Sequence, residues 1–221
     1  IMSDDLFDVR NNFYVGNFAQ CVEDAQYVSP KTESDKVEKD CLFYRAHIAL
    51  GNTRLVLDEI SDQASPSLRA VKEYARFMED PASNGEAAVA NVKTWLSDDA
   101  TLPATPVMRI LAALIHLQLQ NPIEALKSVH LCSTMEMTAL YAVVLLVMCR
   151  IDLAIQTWQR MIKQDEEATL THMIGGYVAL YQGKGSEAVG IFQELMERNA
   201  STLTLSNGLF VAQALQGNWD V

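Results

Sequence analysis

The chain has 221 residues, 49% of them apolar, and its 28 acidic and 17 basic residues give a formal net charge of −11. This composition is typical of a folded globular protein and excludes an extensively disordered chain, and the lack of clustered lysine and arginine argues against a nucleic-acid partner. The longest uninterrupted apolar run, Ala139 to Cys149, is too short to span a membrane, so the sequence predicts a soluble protein.

Apolar residues recur at helical spacing along the whole chain, and short turns interrupt them at a near-constant interval. The turns read Gly16-Asn17, Gly51-Asn52, Asn84-Gly85, Gln120-Asn121, Cys149-Arg150 and Gly183-Lys184, and a seventh starts at Gly217-Asn218. A small or aliphatic residue follows each of the first six turns, at Cys21, Val56, Ala88, Ala125, Ala154 and Ala188. These positions lie 29 to 37 residues apart, which matches the tetratricopeptide period of about 34 residues.

This periodicity predicts an all-α, tetratricopeptide-like helix-turn-helix solenoid wound as a right-handed superhelix. We expect residues 1–221 to form one domain of about six repeats plus the start of a seventh. No segment shows the sustained alternation of apolar and polar residues that indicates a strand. Three polar or proline-bearing stretches are predicted as longer loops between helices: Ser29 to Lys36, Glu79 to Asn84 and Asp98 to Pro106.

Polar residues in the sequence are placed to start several of these helices. An N-cap residue followed by proline is a common start of a helix. A glutamate three residues after the cap adds a hydrogen bond, in which its side chain accepts the backbone N–H of the cap residue. The predicted starts are Ser65-Pro66, Ser83 with Glu86, Thr105-Pro106, Asn121-Pro122 with Glu124, and Ser133 with Glu136.

The clearest predicted helix pair lies between Thr169 and Arg198. Gly175, Gly176 and Ala179 precede its turn and Ala188 follows it, which predicts that the two helix backbones approach closely. The turn itself, Gly183-Lys184-Gly185-Ser186, is similar to the end of a phosphate-binding loop. However, the first glycine of that motif is missing and a helix precedes it in place of a strand, so we interpret it as a turn.

We find no residue pattern for catalysis or for metal binding. The four histidines lack the spacing of metal ligands and are interpreted as core or surface residues: His47, His116, His130 and His172. The four cysteines form no CxxC motif and are interpreted as buried, reduced thiols: Cys21, Cys41, Cys132 and Cys149. The sequence therefore predicts no enzymatic activity, no cofactor and no metal.

The first helix of each repeat is expected to line the inner face of the solenoid. Its inward positions are apolar from the fourth repeat onward, whereas the first two repeats carry Arg10 and Arg45 there. The predicted partner-binding residues are Arg10, Phe13, Tyr14, Arg45, Ile48, Val107, Ile110, Leu114, Leu117, Val143, Leu146, Leu170, Met173, Tyr177, Leu180 and Val211. A continuous apolar row indicates a surface for an apolar segment of another protein, with the arginines meeting polar or acidic groups at one end.

Two alternatives remain open from the residues alone. The row could instead be ordinary core between helices. The protein could also be a general tetratricopeptide cofactor that binds many short peptide tails in chaperone or transport work. A clamp for chaperone tails needs Lys, Asn and Arg at the inner positions, and the apolar residues found there disfavour a co-chaperone.

Several segments in order along the chain resemble one family of vesicle-coat subunits. They are Asp5 to Gly16 (DLFDVRNNFYVG) with Gln20-Cys21, Val56 to Ile60 (VLDEI), Gln164 to Thr171 (QDEEATLT), Ile191 to Leu195 (IFQEL) and Leu205 to Gly208 (LSNG). These segments are similar to those of coatomer epsilon subunits. The stretch from Ala82 to Pro106 is the least similar part of the chain.

The resemblance implies a non-enzymatic tetratricopeptide-like subunit of the COPI coat, which carries cargo from the Golgi to the endoplasmic reticulum and within the Golgi. It implies binding to the carboxy-terminal domain of the coatomer alpha subunit, with other coatomer subunits reached indirectly. The implied location is the cytoplasm, with peripheral attachment to Golgi membranes and COPI vesicles through the assembled coat, and no small-molecule substrate is implied. The family continues through further carboxy-terminal helices, which we expect this chain to lack beyond Val221.

Overall fold

The computed structural model describes residues 4–97 and 104–217, and the regular secondary structure within these ranges is entirely helical. The helices are α1 (Phe7–Val15), α2 (Phe18–Tyr27), α3 (Glu33–Ala49), α4 (Thr53–Glu59), α5 (Pro66–Glu79), α6 (Pro81–Leu96), α7 (Pro106–Gln118), α8 (Pro122–Val129), α9 (Met135–Val147), α10 (Ile151–Gln164), α11 (Thr169–Tyr181), α12 (Gly185–Arg198) and α13 (Leu203–Leu215). The predicted all-α, tetratricopeptide-like class is confirmed. The hand of the superhelix stays a prediction.

The chain forms two compact units. Unit 1 comprises residues 1–13 and 18–130, and thus holds most of α1 together with α2 to α8. Unit 2 comprises residues 14–17 and 131–221, and holds α9 to α13 together with the end of α1 and the turn after it. The expectation of a single domain over residues 1–221 stays a prediction.

Four of the turns between paired helices share one backbone conformation. The residue after the C-cap has a positive φ at Gly51 (84°) and Gly183 (72°), and also at Gln120 (56°) and Cys149 (57°). Glycine suits this left-handed region because it has no Cβ to clash with the backbone. In each of these four turns the next N–H donates to a carbonyl five residues back, for example from Asn52 to His47 at 2.9 Å. This is the Schellman pattern of a helix end.

The small residues that defined the predicted repeats are all buried. Each lies on the second helix of its pair. Their exposed fractions are 6% or less at Cys21, Val56, Ala88, Ala125, Ala154 and Ala188. The predicted turns at Gly16, Gly51, Gln120, Cys149 and Gly183 are confirmed as well.

The third predicted turn is wrong. Helix α6 begins at Pro81 with Asp80 as its N-cap, so Asn84-Gly85 lies inside the helix. The Asp80 side chain accepts the N–H of Ser83 at 3.2 Å, and proline at the first helical position needs no partner for its nitrogen. The predicted loop from Glu79 to Asn84 is therefore reduced to a single residue between α5 and α6.

The other predicted helix starts and loops have mixed outcomes. Ser65, Thr105 and Asn121 are N-caps as predicted. Helix α9 starts one residue later than expected, because Thr134 rather than Ser133 is its N-cap. A loop from Val28 to Thr32 separates α2 from α3, which shortens the predicted Ser29 to Lys36 loop by the first turn of α3. Of the loop predicted at Asp98 to Pro106, residues 98–103 lie outside the described ranges.

The described residues of unit 1 form three adjoining apolar cores. The first joins α1, α2 and α3 around Val9 and Leu42. The second joins α3, α4, α5 and α7 around Val71 and Leu111. The third joins α5, α6 and α7 around Phe77. Each core is shared between consecutive helix pairs, as expected for a repeat array whose contacts are between neighbours.

Unit 2 is built around Phe192 of α12, which is fully buried. Its ring lies against Gly176 of α11 and Gly208 of α13: a Cβ placed on these glycines would come within 2.9 Å and 2.5 Å of the ring. The predicted role of Gly175 and Gly176 is to let the two helix backbones approach closely. Instead they make room for aromatic rings, since Gly175 faces the indole of Trp158, whose Nε1 donates to the Thr171 carbonyl at 3.1 Å.

The turn after α1 is fixed to α13 within unit 2. Thr202, the N-cap of α13, accepts the N–H of Leu205 at 3.3 Å. Its hydroxyl also donates to the carbonyl of Val15, which is fully buried. One threonine therefore satisfies two buried backbone groups, and each would cost free energy if left unpaired.

Within the described residues, no helix has the length and apolar character required to cross a bilayer.

We expect Gly208→Ala to destabilise the protein by about 1–3 kcal/mol, because the new methyl group overpacks the site of the Phe192 ring. Gly190→Ala in α12 is the matched control. A methyl group added at Gly190 would meet no atom within 4 Å, so this substitution should stabilise the helix by up to about 1 kcal/mol. Urea denaturation of both variants measures the difference. Equal stability of the two variants would contradict the tight packing around Phe192.

Candidate protein-binding surface

The predicted partner-binding residues differ widely in exposure. Five are buried: Arg45, Ile48, Ile110, Leu146 and Met173. Ten are partly buried: Arg10, Phe13, Tyr14, Val107, Leu114, Leu117, Val143, Leu170, Tyr177 and Leu180. Val211 is exposed. The predicted set thus contains both core and surface residues, and its role in binding stays a prediction.

Arg10 of α1 makes ion pairs within unit 1. Its Nε and Nη2 donate to the two carboxylate oxygens of Glu38 in α3, at 2.6 Å and 2.9 Å. Its Nη1 donates to Asp4 Oδ2 at 2.6 Å. A two-pronged arginine–carboxylate contact fixes both distance and orientation, so Arg10 holds α1 against α3.

Arg45 of α3 also faces α1. It is 7% exposed, and its guanidinium carbon lies 4.5 Å from the centre of the Phe13 ring. A cation over an aromatic face is attracted by the ring's negative face, most strongly where water is excluded. The sequence predicts that Arg10 and Arg45 meet polar or acidic groups of a partner. In the structure both arginines already have partners within unit 1.

The apolar residues predicted in unit 1 are largely part of its core. Ile48 is buried in the cluster that joins α3, α4, α5 and α7. Val107 and Leu114 pack against the same cluster from α7. Ile110 of α7 is 2% exposed. Two of these four side chains, Ile48 and Ile110, are thus buried, and Val107 and Leu114 are partly buried.

Unit 2 exposes more of the predicted row. Val143, Tyr177 and Val211 occur 34 residues apart, on the first helices α9, α11 and α13. Val211 is exposed, and Val143 and Tyr177 are partly exposed. The Tyr177 ring also lies 5.9 Å from that of Phe192, and burial raises the pKa of its hydroxyl. Tyr177 thus connects the surface to the core of unit 2.

The predicted set does not include a second exposed row. Val147, Tyr181 and Leu215 are the last residues of α9, α11 and α13, also 34 residues apart, and each is about half exposed. The predicted inward positions include Leu146 and Leu180, the residues immediately before Val147 and Tyr181, but not these helix ends themselves. Their common spacing was the signal that could have found them. We call the two rows together the unit 2 apolar surface.

The corresponding helix ends in unit 1 are different. The last residues of α3, α5 and α7 are Ala49, Glu79 and Gln118, which are small or polar. A large apolar residue at this position is therefore specific to the described first helices of unit 2. Contiguous exposed apolar side chains of this kind usually mark an interaction surface.

Comparison with known proteins identifies the family. The family model for the coatomer epsilon subunit matches residues 2–221. The chain belongs to the coatomer epsilon subunit family. It is therefore a component of the COPI coat, which assembles with other coatomer subunits. The resemblance drawn from the sequence segments is confirmed.

Individual relatives agree with this assignment to the epsilon family. The chain is 34% identical over 219 residues to coatomer subunit epsilon-1 of Arabidopsis thaliana, a match that covers 98% of the chain and 74% of the relative. It is 33% identical to coatomer subunit epsilon-2 of the same plant, with the same coverage. The match to coatomer subunit epsilon of Caenorhabditis elegans is 30% over 215 residues, covering 92% of the chain and 70% of the relative.

Side chains that could act as metal ligands or nucleophiles do not cluster in the described part of this chain. Within the described ranges, no group of three or more His, Cys, Asp or Glu side chains could hold a metal ion. None of the four cysteines forms a disulfide. Burial and the nearby Asp24 raise the pKa of the Cys21 thiol to about 12, against the opposing effect of Arg45. Such a thiol is a poor nucleophile because the reactive species is the thiolate.

The prediction that all four cysteines are buried is wrong for Cys149. It occupies the left-handed position of the turn between α9 and α10, where its side chain faces solvent. Cys132 is partly buried, and burial raises its pKa. Only Cys21 and Cys41 lie in the core.

We expect iodoacetamide to alkylate Cys149 quickly in the native protein and to leave Cys21 unmodified until the protein unfolds. Peptide mass spectrometry after timed labelling, with and without urea at about 8 M, measures both rates. The urea sample is the control, because there the two cysteines should react at similar rates. Rapid native alkylation of Cys21 would contradict its burial.

Proposed function

We propose that the protein is a non-enzymatic structural subunit that binds the carboxy-terminal domain of the coatomer alpha subunit and stabilises it within the coat. In this proposal it acts in retrograde Golgi-to-endoplasmic-reticulum and intra-Golgi transport. It resides in the cytoplasm and reaches Golgi membranes and COPI vesicles only through the assembled coat. Membership of the epsilon family is the observation that carries the proposal.

The unit 2 apolar surface supplies the binding site in this proposal. Val143, Tyr177 and Val211 form its first row, and Val147, Tyr181 and Leu215 form its second. Burying half-exposed apolar side chains against a partner is favourable by about 25 cal/mol for each Å² removed from water. Aromatic residues such as Tyr177 and Tyr181 are frequent among the residues that dominate binding energy.

The internal contacts of unit 1 favour partner binding by unit 2 over partner binding by the residues predicted in unit 1. Arg10 and Arg45 are already engaged by Glu38, Asp4 and Phe13. Drawing either arginine into a partner site would require breaking those contacts first. We therefore propose that Arg10 and Arg45 position α1 on α3, and that unit 2 binds the partner.

The alternative function, a general cofactor for short peptide tails, implies a smaller interface. A permanent coat subunit is expected to bury about 2,000 Å² or more with its partner, whereas a tail receptor buries much less. Recognition of a tail's terminal carboxylate also needs cationic side chains on the binding helices. The two rows of the unit 2 apolar surface contain none.

Mixed with the alpha-subunit carboxy-terminal domain, the protein should elute from a sizing column as one stable complex of one copy each. Tyr181→Glu should weaken this complex at least about tenfold, because the interface would have to bury an unpaired carboxylate. Isothermal titration calorimetry of folded variants measures the loss. Separate elution of the two folded wild-type proteins would exclude the alpha domain as a stable partner.

Tyr27→Glu is the matched control for Tyr181→Glu. Tyr27 is also the last residue of its helix, α2, and it is 80% exposed in unit 1. The same substitution there should leave the affinity unchanged. If the wild-type complex forms but both variants bind equally well, the alpha-subunit partner stands and the unit 2 apolar surface is the wrong site.

A further inference from the structure

Helix α13 of unit 2 has one buried side and one exposed side. On the buried side, Gly208 lies against the ring of Phe192 in the core. On the exposed side, Leu203 is 83% exposed and Phe210 is 51% exposed. Asn207 lies between them in sequence and is also exposed. The outward side of α13 thus presents two large apolar side chains to solvent.

The same side of α11 is covered by another helix. The residues of α11 that lie 34 positions before Leu203, Asn207, Phe210 and Ala214 are Thr169, Met173, Gly176 and Leu180. Gly176 packs against Phe192 of α12, and Met173 and Leu180 belong to the same apolar cluster. A helix therefore fits against this side of a first helix in unit 2, and on α13 the corresponding side is exposed.

Helix α13 also carries no charge. Within residues 4–97 and 104–217, it is the one helix whose sequence (LTLSNGLFVAQAL) contains no Asp, Glu, Lys, Arg or His. Two copies of a chain with a formal net charge of −11 repel each other. A contact through α13 adds no pair of like charges at close range. The charge distribution therefore favours α13 as the place where two copies of the chain can meet.

The outward side chains of α13 are complementary in size to themselves. Leu203, Asn207, Phe210 and Ala214 are separated by four, three and four residues, which is the spacing of a helix-packing seam. In an antiparallel pair with two-fold symmetry, the large Leu203 faces the small Ala214 of the second copy. Phe210 likewise faces the smaller Asn207 of the second copy. Large side chains opposite small ones allow two helices to interdigitate.

The antiparallel arrangement also provides a partner for Asn207. The two-fold axis passes midway between Asn207 and Phe210, so the two Asn207 residues are offset by only about 4.5 Å along the helix axis. Their side-chain amides can then hydrogen-bond to each other, which avoids the cost of burying an unpaired polar group. A pair of asparagines in a helix seam also specifies the register of the two helices.

We propose that the outward side of α13 is a self-association surface, through which two copies of this chain form an antiparallel dimer with two-fold symmetry. The proposal goes beyond the function proposed above and does not rest on it, because it concerns this chain alone. The seam consists of Leu203, Asn207, Phe210 and Ala214, and Val211, which is also exposed, borders it.

The size of the seam predicts a weak dimer. Helix α13 has 13 residues. It is therefore about 20 Å long and about 10 Å wide, and packing it against a second copy buries roughly a few hundred Å² on each chain. Stable complexes bury about 800 Å² on each partner. We therefore expect a dissociation constant on the order of 10–100 µM.

Sedimentation equilibrium of this chain between about 1 µM and about 1 mM spans the expected dissociation constant. The mean mass should increase with concentration from the 24.6 kDa of the monomer toward twice that value. Phe210→Glu should weaken the dimer at least about tenfold, because the interface would have to bury an unpaired carboxylate.

Phe7→Glu is the matched control for Phe210→Glu. Phe7 is a 60% exposed phenylalanine at the start of α1 in unit 1. The substitution adds the same charge to the chain, so it separates general repulsion from the loss of the seam, and it should leave the dissociation constant unchanged. Both variants should fold, because both rings are exposed.

An exchange of side-chain sizes tests the antiparallel register. Ala214→Leu places a large side chain opposite Leu203 and should weaken the dimer at least about fivefold. The double variant that adds Leu203→Ala again has a large residue opposite a small one, so it should recover the wild-type dissociation constant. Far-UV circular dichroism checks that both variants remain helical. A double variant no tighter than Ala214→Leu alone would contradict the proposed pairing.

Three further results would overturn the proposal. One is a mass of 24.6 kDa at every concentration. Another is equal self-association of Phe210→Glu and Phe7→Glu. The third is a monomeric wild-type chain in which Phe210→Glu weakens binding of the alpha-subunit carboxy-terminal domain, which would assign the outward side of α13 to that partner.

Discussion

The left-handed residue at the end of the first helices is the constraint on which the arrangement of helix pairs depends. At Gly51, Gln120, Cys149 and Gly183 it reverses the chain within three residues, so that the next residue already caps the second helix. Four residues after that cap, a small buried side chain faces the first helix, as at Ala188. The turn therefore fixes both the separation of the paired helices and the residue that permits it. Gln120 and Cys149 adopt this conformation at a steric cost that glycine does not pay.

A constant turn also fixes which residues of successive first helices are equivalent. In unit 2 the spacing of 34 residues is kept without insertion from α9 to α13. Equivalent positions then share one face, so that an apolar residue at each helix end gives a row of apolar side chains. Val147, Tyr181 and Leu215 form such a row, whereas the helix ends of unit 1 do not. The surface is thus a consequence of repeat regularity as much as of composition.

The helix pairs could be predicted from the sequence because their signals are local. These signals are glycine in the turn, asparagine or threonine at the N-cap, and alanine where the paired helices meet. Each acts over only a few residues, and most of these assignments are confirmed. The exception is α6, where Pro81 and Asp80 start the helix before the apparent Asn84-Gly85 turn. A glycine inside a helix resembles a turn in sequence, and only the contact of Leu119 with Gly85 shows its packing role.

The candidate surface could be predicted only in part, because exposure depends on contacts far apart in sequence. Arg10 looked available for a partner, and its pairing with Glu38 crosses 28 residues. Gly208 and Gly176 lie in different repeats, yet both make room for the ring of Phe192. Filling that space with one aromatic side chain holds α11, α12 and α13 together, and so fixes the relative positions of Tyr177, Tyr181 and Val211. A large buried ring in the core thereby determines the geometry of apolar residues on the surface.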